Sequence, residues 1–198
     1  MFDCHESGIF PNITDIEPSR PPRHLNHTMI LKALFYYLFC RDRQQQADTT
    51  PALGTDLSRY LGRWYELARF DTPFEEGLED VYTEYRACEG GNIRVSNYGM
   101  DADHRRREAH AIGYPVPRSG QMKVAFVPFL RFLATPYNIL HVDDNYTNSL
   151  VSNGSGSCLW FLSRRPTLDP DSFDVMRREA LHRGFDLSNL HYTKHRYR

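Results

Sequence analysis

The chain has 198 residues, with 24 basic and 25 acidic side chains and a formal net charge of −1. That balance excludes a general electrostatic pull toward nucleic acid, so no nucleic-acid partner is expected. Aromatic residues make up 13%, with 12 Tyr and 12 Phe, enough for a core and for the wall of an apolar cavity.

Cys4, Cys40, Cys88 and Cys158 form no C-x-x-C pair, and the histidines lack a partner at zinc spacing. Neither a metal nor any other cofactor is expected. Residues 1–52 read as a leader, because Pro11, Pro18, Pro21, Pro22 and the polar run from Arg41 to Thr50 cannot build a core. Within it, Met29 to Cys40 (MILKALFYYLFC) is too short to span a bilayer and fits the apolar part of a secretion signal or anchor. Cys40 sits where a bacterial lipoprotein carries its lipid, although Leu38 and Phe39 are bulkier than such sites favour.

A folded domain is expected over 53–198. A polar-and-leucine segment, Asp56 to Leu61, leads into the strand GRWYELARF (Gly62 to Phe70). Val81, Thr83 and Tyr85 then alternate with Glu84 and Arg86, which is strand period. Gly90-Gly91-Asn92 reads as a hairpin turn before Ile93 to Asn97. The run His104-Arg105-Arg106-Arg107 reads as a solvated hairpin loop, with membrane-surface contact as the minority reading. Further strands are expected at 108–114, 121–126, 137–142, 146–152 and 157–163, mostly joined by tight turns.

Eight successive short strands suit an up-and-down antiparallel barrel, which closes its own edges and can hold one small ligand. Asp169 and Pro170 open an α-helix, with Phe173, Met176, Ala180 and Leu181 on its barrel side. Gly184 stops it, and Phe185 to Tyr192 return as a short ninth strand. Trp64 near the domain start and Arg164 at the end of the eighth strand can stack as ring on guanidinium. With Gly62 they form the expected closure of one barrel end. Cys88 and Cys158 would fall at opposite ends of the barrel, too far apart to bridge each other.

These features converge on a family. Gly62-x-Trp64 within GRWYELARFD resembles the first lipocalin signature, Asp143-x-x-Tyr146 the second, and Leu162-Ser163-Arg164 the third. LGRWYELARFDTPFEEGLE, TPYNILHVDDNY, LWFLSRRPTLDP and GFDLSNL resemble the bacterial outer-membrane lipocalin and apolipoprotein D group, over about Asp56 to Tyr192. The resemblance implies an all-β, eight-stranded barrel with one helix outside it. It implies a non-enzymatic carrier of a fatty acid, lysophospholipid or similar hydrophobic ligand, secreted or in the cell envelope. A membrane surface and a second copy of the chain, as a homodimer, are further candidate partners.

Strand parity from Trp64 places Glu66, Ala68 and Phe70 inward. The expected ligand wall is Ala68, Phe70, Tyr85, Phe126, Tyr137, Ile139, Trp160 and Leu162. Glu66, facing inward, needs a partner or a raised pKa. Arg131, in the loop at the mouth, is a candidate for an anionic headgroup. Two rival readings are an isomerase-like enzyme using Glu66 or a thiol, and a haem or tetrapyrrole binder using His141.

Overall fold

The computed structural model describes residues 46–72, 75–126 and 131–196. The candidate signal at 29–40 lies outside them, as do residues 127–130 and the side chain of Arg131.

A four-residue helix, α1 (Leu57–Tyr60), starts at Asp56, whose carboxylate caps it by accepting from the Ser58 amide. Eight antiparallel strands follow: β1 (Gly62–Phe70), β2 (Glu79–Ala87), β3 (Ile93–Met100), β4 (Arg106–Pro115), β5 (Gln121–Ala125), β6 (Thr135–Val142), β7 (Asn148–Asn153) and β8 (Leu159–Ser163). Each pairs with the next, and β8 and β2 both pair with β1, so the sheet closes on itself. Cys88 follows β2 at the end that carries α1, and Cys158 precedes β8 at the other end.

Two β-bulges decide which side chains face inward. On β1, Glu66 opposes Leu162 and Ala68 opposes Phe161, so Leu67 is an extra residue. On β6, Ile139 opposes Val151 and His141 opposes Leu150, so Leu140 is extra. Each bulge turns two consecutive residues toward the outside. Leu67, Ala68 and Leu140 thus join Leu150, Leu159 and Phe161 in an outer apolar layer.

Helix α2 (Pro170–His182) covers that layer with Phe173, Met176 and Ala180, all buried. Its N-terminus is capped by Asp169, which accepts from the Ser172 amide at 3.0 Å. Leu181, expected on the packed stripe, is 47% exposed. Past the helix, Arg183 donates to the Leu140 and Thr50 carbonyls at 2.9 Å each, tying the segment before α1 to the barrel wall.

The last strand, β9 (Leu190–Tyr192), fills a seam. β1 pairs with β2 only from Gly62 to Tyr65, then with β9 from Ala68 to Phe70. Beyond β9 the chain continues between the two strands. The Thr193 amide donates to the Leu67 carbonyl, and the Asp80 amide to the Lys194 carbonyl.

Candidate functional site: the barrel interior

At the closed end, the Arg164 guanidinium carbon lies 4.0 Å from the centre of the Trp64 ring system. Its nitrogens donate to the carbonyls of Arg59, Leu61, Arg63 and Tyr146 at 2.8 to 3.1 Å. The cation therefore ties together, across the barrel floor, four backbone acceptors at the end of α1, in β1 and in the turn before β7. Gly62 is required here for two reasons. Its φ is +97°, and a Cβ would come 3.1 Å from Arg164 Nη1. Trp64 is fully buried, donates to the Tyr60 carbonyl at 2.7 Å and stacks on the Tyr60 ring at 4.6 Å between centroids.

Above this floor the inner face carries Tyr60, Tyr85, Ile93, Val95, Ala111, Met122, Val124, Ile139, Val151 and Leu162, with Phe126, Tyr137 and Trp160 packed against them. The phenols of Tyr85 and Tyr137 share a short hydrogen bond, and Tyr60 donates to Ser149 at 3.1 Å. Burial pushes the Tyr60 phenol up to about 12 and raises Tyr85 and Tyr137 well above the ordinary tyrosine value. Trp160 stacks on Tyr137 with ring centres 6.3 Å apart.

The upper interior is charged. Arg69 is fully buried and donates to Glu66 Oε1 at 2.6 Å and to Asp71 Oδ1 at 2.9 Å. It also donates to Thr193 Oγ1 and to the Glu75 carbonyl. Thr193 in turn donates to Glu66 Oε1 at 2.6 Å, and His195 Nε2 donates to the Glu66 carbonyl at 2.7 Å. Glu75, in the turn after β1, reaches back so that Trp160 Nε1 donates to its Oε1 at 3.2 Å and Thr72 to its Oε2 at 2.9 Å. Burial, and then repulsion from Glu66, push the Glu75 carboxyl up to about 7 against the opposing pull of Arg69.

Of the wall residues expected from the sequence, Tyr85, Phe126, Tyr137, Ile139, Trp160 and Leu162 lie on the inner face. Ala68 and Phe70 do not. Past the Leu67 bulge, Ala68 opposes Phe161 in the outer layer, and the Phe70 ring meets Phe185 at 6.3 Å. Arg69 takes the inward place between them, opposite Trp160. Nothing in strand periodicity signals that exchange. The inward Glu66 was the available clue, since a buried carboxylate demands a cation. His141 is displaced in the same way by the Leu140 bulge and faces outward opposite Leu150, which leaves the haem reading without its ligand.

The basic hairpin neutralises itself: Arg105 pairs with Asp103, Arg106 with Glu108 and Arg107 with Asp101. Among the described residues, no cluster of His, Cys, Asp or Glu is placed to hold a metal ion.

The Lipocalin-like domain family model matches residues 55–195, and the chain belongs to that family. It is 34% identical to the outer membrane lipoprotein Blc of Escherichia coli K12 over 162 residues, 80% of this chain and 89% of that one. It is 28% identical to mouse apolipoprotein D over 148 residues, 70% of this chain and 76% of that one. Among solved structures, insecticyanin from the tobacco hornworm superposes with a TM-score of 0.59 at 16% identity, covering 77% of this chain and 87% of the other. That likeness concerns the fold alone.

Proposed function

We propose that the protein binds a small hydrophobic ligand with an acyl-type chain inside the barrel, and stores or carries it in the cell envelope. The observation that carries this reading is the inner face itself. Tyr137, Trp160, Phe126, Ile139 and Leu162 line a closed barrel above the Trp64–Arg164 floor. Family membership supports a carrier rather than a catalyst, and likeness to outer membrane lipoproteins supports the envelope. Among the described residues no helix is long and apolar enough to cross a membrane.

Each methylene removed from water contributes about 0.8 kcal/mol. Burying a chain of ~12 carbons therefore grosses on the order of 10 kcal/mol before the cost of ordering it. Micromolar affinity corresponds to about 8 kcal/mol, so it requires a binding cost of no more than about 2 kcal/mol or a contribution from headgroup contacts.

The test is fluorescence titration with lipids of 12 to 18 carbons brominated along the chain. Quenching is expected from Trp160, lost in Trp160→Phe, while Trp64 beneath Tyr60 and Arg164 stays emissive. Absence of binding across that whole series would overturn the proposal.

A further inference from the structure

We propose that Glu75 selects the polar end of the bound amphiphile, favouring a cationic or hydroxyl-bearing head over an anionic carboxylate. This rests on the acyl-chain reading above and assigns the class of head that the same site takes.

Among the described residues, two carboxylates in the upper interior, Glu66 and Glu75, and a third at its rim, the 41% exposed Asp71, face one guanidinium. That guanidinium cannot serve an incoming anion. Arg69 Nε is held by Asp71, Nη1 by Glu66 and Thr193, and Nη2 by the Glu75 carbonyl with Asp71 Oδ1 at 2.8 Å. Arginine has five N–H groups, and each nitrogen is already committed. Glu66 already carries a cation: Arg69 Nη1 and Thr193 Oγ1 both donate to its Oε1.

Glu75 differs. Its carboxylate receives one neutral donor on each oxygen, Trp160 Nε1 and Thr72 Oγ1, and among the described residues no cation donates to it directly. It sits beside Trp160, at the top of the aromatic stack that descends through Tyr137 and Tyr85. An ammonium there would meet a carboxylate and an indole face together, two attractions that reinforce each other away from bulk water. A hydroxyl would donate to the same oxygen. A carboxylate head would face like charge at this half-buried carboxylate, and would bind better with a proton.

The groups around Glu75 leave that balance intact. β1 contributes Glu66 and Arg69, and the following turn contributes Asp71, with His191 Nδ1 3.6 Å behind it. β8 contributes Trp160, and the C-terminal segment contributes Thr193 and His195, the latter bonded to the Glu66 carbonyl. The raised Glu75 carboxyl, at about 7, adds a sign: its ionised fraction grows across neutral pH. Carboxylate lipids should then lose affinity as pH rises, and ammonium lipids gain it.

The experiment compares three 12-carbon amphiphiles below their micelle concentrations: dodecylammonium, monolauroylglycerol and laurate. Each displaces a fluorescent lipid from the full chain between pH 6 and 8.5. At pH 8.5 dodecylammonium should bind at least about tenfold tighter than laurate, with laurate weakening by up to about tenfold per pH unit above 7. Glu75→Gln should shrink the preference at least threefold and flatten the laurate slope. Equal binding of laurate and dodecylammonium by the wild-type protein would overturn the proposal, whether or not the variant folds. So would an unchanged preference in a folded Glu75→Gln protein. Monolauroylglycerol separates the two levels: if it binds while the charged heads are not distinguished, the headgroup assignment falls and the acyl-chain reading stands. If none of the three binds, both fall.

Discussion

Arg69 donates to Glu66 at 2.6 Å in the barrel interior, and their side chains are 0% and 4% exposed. The pair is three residues apart on one strand, where regular alternation would send the two side chains to opposite faces. Only the Leu67 bulge between them brings both inward. The charges are satisfied by each other, by Thr193 and by Asp71, so the cluster couples β1 to the C-terminal segment that seals the wall.

Removing one partner strands a charge away from water. Arg69→Met should cost about 3–5 kcal/mol in urea unfolding. A double Glu66→Leu/Arg69→Met protein should recover much of that loss, because no buried charge is left unpaired. A double variant as unstable as the single one would show that packing, not charge, sets the cost.

Glu75 gives a pH dependence with a definite sign. Its folded pKa, about 7, lies above the ordinary 4.5, so the folded state holds the proton more tightly. That contribution is fully present below about 4.5 and is lost as pH rises to about 7. The loss should be on the order of 1–3 kcal/mol. Glu75→Gln should abolish this component of the stability profile between pH 4.5 and 7.

The closed end should behave as one unit. Trp64→Ala should cost about 3–5 kcal/mol, as large aromatic truncations in cores do. Arg164→Lys should fail to restore stability, since one ammonium cannot serve four carbonyls while lying flat on an indole. Gly62→Ala should cost about 1–2 kcal/mol from its positive φ alone, more if Arg164 shifts. Melting temperatures unchanged in all three would remove the closure role.

The interior phenols should resist base. Of the 12 tyrosines, Tyr60, Tyr85 and Tyr137 stay protonated beyond the usual range, Tyr60 to about 12. Because the folded state holds these protons more tightly, stability falls as pH rises above 10, where unfolded tyrosines ionise. Ultraviolet titration should show these phenols ionising late, together with loss of the native fold. A full complement of phenolates at pH 10.5 in folded protein would contradict this.

The sequence by itself determined the architecture and its closure. Alternation and turn residues specify eight strands, Asp169-Pro170 and Gly184 frame α2, and Gly62, Trp64 and Arg164 mark the closed end. These are local signals: a period of two, a cap, a glycine that tolerates positive φ. Strand parity also placed Tyr85, Phe126, Tyr137, Ile139, Trp160 and Leu162 on the inner face, and tertiary structure alone decided the charged upper interior. The bulges at Leu67 and Leu140 are absorbed where β1 and β6 meet their neighbours, and each reverses the facing of everything after it on the strand. Ala68, Phe70 and His141 left the interior that way, and Arg69 entered it. Glu75 arrived from a turn, where no periodicity applies at all. A one-residue slip costs little locally and exchanges faces completely, so side-chain direction beyond a bulge is set by what the opposing layer can bury.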